Sequence, residues 1–269
     1  MIADPDAAAR RLGSIVLEAG RFLAQVRDRG AGRVVKPDGS PSTAADLEAE
    51  RMILGRLAAD FPDIPVVAEE SAEAASAPSG LYFLVDPLDG TRDYLTGAGE
   101  YSVNAALIAG DRPIAAALAV PVLGRVWAAG TTCLVAPIPP SGDCTDWQPT
   151  AVRPSPAEGP VAVVSRRHGD DATDICLDRM GIGGRRIASS AAKFGLIASG
   201  EADVYVRCGA TMEWDTAAGD HVVTVAGGLV LGADGKPLTY GHAERGFLNG
   251  AFAAFGDRRL AGLCTLPAG

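Results

Sequence analysis

The sequence predicts a layered α/β fold, with a mixed or antiparallel sheet and helices over residues 1–155 and a smaller α/β half over residues 156–269. Three observations predict it. Apolar residues recur at helical spacing near the N-terminus, short apolar runs crowd the stretch from 65 to 129, and strand-like and helix-like segments alternate from 161 to 226. At 269 residues with 48% apolar content, the chain can fill one large or two closely packed units.

In order along the chain, Leu12, Ile15, Val16, Ala19, Phe22, Leu23 and Val26 give an amphipathic helix ending near Gly30. Gly30, Gly32, Pro37 and Gly39 predict a loop. A second helix is expected to start at Ser42 or Thr43, where a hydroxyl caps it, with Leu47, Ile53, Leu54, Leu57 and Phe61 as its apolar face. The runs 65–68 and 81–85 read as buried strands, and each ends directly in acids: Glu69-Glu70 and Asp86. Runs at 102–109, 113–122 and 125–129 read as consecutive antiparallel strands, which suggests a sheet with helices on one side. Residues 136–160, rich in Pro and Ser, read as a mobile or divergent connection and a boundary between halves. Beyond them, strands at 161–164, 185–188 and 202–206 alternate with helices at 170–180 and 190–199. A helix over 215–226 closes at Gly227-Gly228, and short strands follow to Phe255.

The charge balance excludes one class of partner. A net charge of −9 with no Lys/Arg stripe does not fit a nucleic-acid polymer. It leaves room for a phosphorylated small molecule, because cations gathered by acids reverse the local field. Five scattered cysteines without a C-x-x-C spacing indicate neither a disulfide framework nor a zinc site. No stretch reaches the ~18 apolar residues of a membrane span, and no leader-like run opens the chain, so the cytoplasm is the expected location.

The candidate chemistry lies in Glu69, Asp86 and Asp89, at points where strands run out into loops. Oxygen-only ligands suit Mg²⁺. Pro87 fixes a torsion between the aspartates, and Gly90 permits close approach of backbone to an anion. If Thr91 opens a short helix, the amides of Gly90 and Thr91 point at a phosphate. Taken alone, Asp86 to Thr91 reads equally well as an ordinary turn. Asp215 stands at a helix start, where an N-cap is the commoner role. Asp46 is either a first-turn acid complementing the helix dipole or an outer acid orienting a metal's water.

Together, two of these segments are highly specific. Asp86-Pro87-Leu88-Asp89-Gly90-Thr91 resembles the D-P-[IL]-D-G-T signature, and Trp214-Asp215-Thr216-Ala217-Ala218-Gly219 the W-D-x-A-A-G signature, of the lithium-sensitive, metal-dependent phosphatases that include the inositol monophosphatases. Within that family, Lys36 to Asp46, Gly99 to Asn104, Ser189 to Phe194, Tyr205 to Glu213, Pro237 to Tyr240 and Phe247 to Asn249 resemble the CysQ-type 3'(2'),5'-bisphosphate nucleotidases. The likeness covers most of the chain and is weakest between about 130 and 160.

The resemblance implies an αβαβα sandwich whose second half completes the active site. It implies two or three Mg²⁺ ions on Glu69, Asp86, the Leu88 carbonyl, Asp89 and Asp215, with Glu69, Thr91 and Asp46 activating a water. Gly90 and Thr91 fall at the phosphate turn. Lys193 and Arg207 match basic positions that meet the second phosphate or the nucleotide; surface solvation and a helix-terminal charge remain equal alternatives for them. The implied substrate is 3'-phosphoadenosine 5'-phosphate, giving AMP and phosphate. An inositol, histidinol or sugar phosphate is the alternative, and a catalytically silent phosphometabolite-binding protein is a third reading, opposed by the complete ligand set. Two departures, Phe247-Leu248-Asn249-Gly250 for L-N-P and an extra small residue in Ser189 to Phe194, touch substrate choice rather than the metal centre. His168, His221 and His242 are not required as catalysts.

Overall fold

The computed structural model describes residues 4–29, 33–35, 41–74, 80–166 and 170–267. The loop expected from Gly30, Gly32, Pro37 and Gly39 falls outside these residues, as does His168.

Helix α1 (Pro5–Asp28) starts where Asp4 accepts the amide of Ala7 at 3.0 Å, and it buries Leu12, Ile15, Val16, Ala19 and Leu23. Strands β1 (Arg33–Val35) and β2 (Pro41–Thr43) pair antiparallel ahead of α2 (Ala44–Asp60). Thr43 caps α2 as expected. Its hydroxyl accepts the amides of Ala45 and Asp46, while Asp46 Oδ2 accepts the Thr43 amide, a reciprocal capping box. The expected apolar face of α2 needs one correction, because Leu47 is 56% exposed. The inward series is Ala45, Asp46, Ala49, Glu50, Ile53 and Leu57, and position 47 falls outside it.

The first sheet has seven strands in sequence order: β3 (Val66–Ala68), β4 (Leu81–Asp89), β5 (Ser102–Ala109), β6 (Arg112–Val120), β7 (Arg125–Ala129), β8 (Cys133–Pro137) and β9 (Gln148–Pro149). Only β3 and β4 run parallel. The last two strands revise the reading of 136–160 as a bare connection. Its first part pairs along the sheet edge, and Arg153 then forms two 2.8 Å bonds to the buried Asp203 in the second half.

The second sheet orders β11 (Gly184–Ala188), β10 (Val161–Ser165), β12 (Val204–Arg207), β16 (Phe252–Phe255) and β14 (Leu229–Gly232). Its first three strands are parallel, and the last two add antiparallel. Strands β13 (Thr211–Met212) and β15 (Leu248–Asn249) make a small separate pair. The helices of this half are α4 (Asp171–Arg179), α5 (Ala192–Ala198) and α6 (Glu213–Val225).

Three buried clusters show how the layers stack. One joins α1 and α2 to Phe83, Val85, Ala105 and Leu107 of the first sheet. The second joins the opposite face, with Tyr82, Leu84, Ala106 and Leu118, to α5, α6 and one face of the second sheet. The third packs Cys176 and Leu177 of α4 on the other face of that sheet, against Val204, Val206 and Phe255. The result is the αβαβα sandwich. Helices therefore cover both faces of the first sheet, not one, because α5 and α6 supply the second cover from far along the chain. Burial on both faces explains why residues 81–85 are apolar without alternation.

Candidate active site

Glu69 and Asp86 are brought together by strand register. Ala68 of β3 pairs with Val85 of β4 in parallel, so the residue after each, an acid in both cases, stands at the same level, Glu69 just past the end of β3 and Asp86 still within β4. Beyond Asp86 the pairing of β4 with β5 becomes irregular before Asp89 meets Ser102. The loop folds back on itself there. Asp86 Oδ1 accepts the Leu88 amide at 2.9 Å, and the Thr91 hydroxyl donates to the Leu88 carbonyl at 3.2 Å. Gly90 carries φ +92°, and a β-carbon at that position would lie 3.2 Å from the Glu100 carbonyl oxygen. Glycine alone meets both demands without strain. Thr91 then opens α3 (Thr91–Thr96), as expected.

Asp215 arrives from the second half. It is the third residue of α6 rather than its cap: Met212 has the extended backbone of an N-cap, and Asp215 Oδ2 accepts the Met212 amide at 3.1 Å. Helix α5 also starts later than expected, at Ala192, because Ser190 takes a left-handed conformation with φ +56°. That turn directs the Ala191 amide to Ser102 Oγ at 3.2 Å, and Ser102 in turn lies 3.4 Å from Asp89 Oδ2.

One cavity of about 320 Å³ is lined by Glu69, Asp86, Leu88, Asp89, Gly90 and Thr91 from the first half, and by Lys193, Arg207 and Asp215 from the second. Lys193 is not a surface residue. It is 3% exposed, donates to the Ser190 carbonyl at 2.7 Å, and rests 4.9 Å from the centre of the Tyr205 ring. Arg207 is half-buried and donates to the Ala210 carbonyl at 3.1 Å. Asp46 does not line the cavity; it is buried in the first turn of α2. His221 and His242 also lie elsewhere, bonded to the Gly130 carbonyl and to Glu213. The described cysteines are free thiols, none of them lining the cavity.

The acids strain one another electrostatically. Burial, followed by the charges of Glu69, Asp89 and Asp215, pushes the Asp86 carboxyl well above its usual range. Burial and the charges of Asp89 and Glu69 push Asp215 up to about 8. Burial raises Asp89 as well, against the pull of Lys193 and Arg207. Lys193 is drawn down to about 8, chiefly by burial, although Asp89 opposes the shift. Such a cluster cannot ionise fully without added positive charge.

A hard divalent cation fits this wall. Every side-chain donor on it is a carboxylate, and Asp86 Oδ2 is buried with no hydrogen-bond donor. Among the described residues, no three His, Cys, Asp or Glu side chains are already drawn into a closed cage. Mutually repelling carboxylates do not close one by themselves.

The sequence did not single out several cavity residues, among them Asp93, Arg166, Ser189, Ser190 and Tyr205. Ser189 and Ser190 stand in a segment already matched to the nucleotidases, but nothing in two serines announces a left-handed turn. Tyr205 opens another matched segment, but its ring carries no signal of a place in the cavity beyond that of an ordinary strand residue.

Comparison with known proteins identifies relatives along most of the chain. The model of the inositol monophosphatase family matches residues 3–262. The 3'(2'),5'-bisphosphate nucleotidase CysQ of Salmonella typhimurium is 37% identical over 227 residues, covering 81% of this chain and 86% of that protein. CysQ of Escherichia coli K12 is also 37% identical, over 238 residues, covering 87% and 94%. Among solved structures, CysQ of Bacteroides thetaiotaomicron superposes with a TM-score of 0.76 at 27% identity, over 94% of this chain and 98% of that one. A Thermotoga maritima inositol monophosphatase superposes at 0.74 with 21% identity, over 93% and 94%, and shares the fold. The chain belongs to the inositol monophosphatase family.

Proposed function

We propose that this protein is a phosphatase that removes the 3'-phosphate of 3'-phosphoadenosine 5'-phosphate, yielding AMP and phosphate. The single observation carrying this reading is that one cavity gathers five carboxylates, Glu69, Asp86, Asp89, Asp93 and Asp215, together with two buried or half-buried cations, Lys193 and Arg207. The acids suit the attacked phosphate with its metals, and the cations suit a second anionic group on the same small molecule. The nucleotidase relatives at 37% identity support the choice of substrate over an inositol or sugar monophosphate.

Members of this family are generally Mg²⁺-dependent. In this chain, Glu69, Asp86, the Leu88 carbonyl, Asp89 and Asp215 are the proposed ligands of two or three ions. Bound Mg²⁺ supplies charge neutralisation for the phosphate and acidifies the attacking water. Glu69 with Thr91 is the proposed acceptor of the water's proton, and the Leu88 carbonyl holds the Thr91 hydroxyl in one orientation. Asp46 is assigned a positioning role only, since it stands outside the cavity lining. Gly90 and Thr91 cradle the phosphate in the tight turn. Sensitivity to lithium follows from the same assignment. The functional division proposed is that residues 1–155 hold most of the metal ligands and residues 156–269 complete the site with Asp215 and the cations. No helix among the described residues is long and apolar enough to cross a membrane, which agrees with the proposed cytoplasmic location.

The test is phosphate release with Mg²⁺ from 3'-phosphoadenosine 5'-phosphate, inositol 1-phosphate, fructose 1,6-bisphosphate and histidinol phosphate, compared side by side. The bisphosphorylated nucleotide is expected to lead. A clear preference for an inositol or sugar phosphate overturns the nucleotidase reading and keeps the alternative monoesterase.

A further inference from the structure

Behind the acid wall lies a buried amide that the proposed chemistry does not use. Asn104 in β5 is 1% exposed, and its Oδ1 and Nδ2 are both buried without a hydrogen-bond partner. Its register partners are Asp86 on β4 and Leu118 on β6. Directly opposed residues of an antiparallel pair project to the same face with β-carbons about 4.5–5.5 Å apart, so the amide stands beside the Asp86 carboxyl. This is the face that carries Leu84, Ala106 and Leu118 and is covered by α6.

Asp86 Oδ1 is already held by the Leu88 amide, whereas Oδ2 has no donor. An unpaired donor and an unpaired acceptor therefore occupy adjacent strands in the buried interior. A buried amide is unfavourable unless it is hydrogen-bonded, and an aliphatic side chain would fill the position without that penalty. The juxtaposition gives the amide a use. A carboxylate oxygen has lone pairs enough for a donor and a cation together, and partners behind a ligand orient it and strengthen metal binding.

We propose that Asn104 is a positioning residue for Asp86, donating from Nδ2 to its carboxylate and holding that carboxylate toward the cavity for a divalent cation. The inference rests on the proposed role of Asp86 as a metal ligand.

The test compares Asn104→Thr, which keeps a donor, with Asn104→Val, which has the same shape without one; both suit a strand. Mg²⁺ alone is titrated into each metal-free protein, and the rise in melting temperature gives its dissociation constant. Asn104→Val is expected to bind about 10- to 100-fold more weakly than wild type, and Asn104→Thr within about threefold of it. The metal-free melting temperature of Asn104→Val is expected to be no lower than that of Asn104→Thr, which separates positioning from a purely structural role. Equal Mg²⁺ affinity of the two variants overturns the proposal while leaving the metal ligands standing. A wild-type protein that takes up no Mg²⁺ overturns both. If Asn104→Val does not fold, Asn104→Leu takes its place under the same criterion.

Discussion

The two walls of the cavity reach it by different routes. Glu69, Asp86 and Asp89 hang from the ends of adjacent strands within one short stretch of chain, so the register of β3 on β4 sets their spacing. Lys193, Arg207 and Asp215 come from three separate elements, α5, β12 and α6, and meet only when the second sheet packs on the middle helices. The first three acids are thus a local device carried by a rigid sheet, and the groups of the second wall, one acid and two cations, are a product of tertiary assembly. The difference predicts a division of labour, with the chemical step on the carboxylates, Asp215 included, and choice among phosphates on the two cations.

The harshest test of that division is Asp89→Asn. Removing one ligand charge is expected to lower turnover of every phosphate substrate by on the order of 10³-fold, the scale of several kcal/mol of lost charge stabilisation. The metal-free protein is expected to unfold at the same temperature or higher, because the buried Asp89 charge that pushes up the Asp86 and Asp215 carboxyls is gone. Steady-state kinetics with Mg²⁺ beside thermal unfolding in chelator checks both. A soluble variant with full Mg²⁺-dependent activity sinks the assignment.

A smaller and more selective loss is expected on the second wall. Lys193→Met keeps the buried stem and removes the ammonium that now bonds the Ser190 carbonyl at 2.7 Å. A charged hydrogen bond is worth roughly 1.5–3 kcal/mol, so kcat/KM for the bisphosphorylated nucleotide should fall about 10- to 100-fold. A monophosphate substrate should lose much less. Equal losses for both would place Lys193 with the chemistry and erase the contrast between the walls.

The same contrast explains what could be read from the residues alone. The acid wall is legible because its acids are close in sequence and its turn needs particular residues: Pro87 between the aspartates, and Gly90 where φ is +92°. The buried strands, the Thr43 cap and the short helix at Thr91 follow from equally local rules. The placement of α5 and α6 over the first sheet is not local. It depends on close approaches such as Gly219 in α6, where a β-carbon would come within 2.2 Å of the Phe194 ring. Leu47 is apolar yet exposed because it lies outside the helical phase that Ala45, Ala49 and Ile53 define. The stretch 136–160 hid the edge strand β9 and the end of β8 because Pro and Ser carry no periodicity.

The smallest effect concerns the layer that joins the walls. His221 lies on α6, buried against the first sheet, with Nε2 at 3.1 Å from the Gly130 carbonyl. Burial lowers its pKa below the ordinary 6.5, with Arg112 acting in the same direction and Asp220 and the backbone bonds opposing. Above that value the ring is neutral in both the folded and unfolded chains, so it contributes no pH dependence. As pH falls below it, the unfolded chain takes up a proton that the folded chain refuses, and stability declines until the folded pKa is reached. One such group contributes at most about 1.4 kcal/mol per pH unit. Other carboxyls titrate in the same range, so the reading is the difference between wild type and His221→Gln in urea unfolding at several values between about pH 7 and about pH 5. The wild-type protein is expected to lose more stability than the variant across that interval. Parallel curves would show that the middle layer does not depend on a neutral His221.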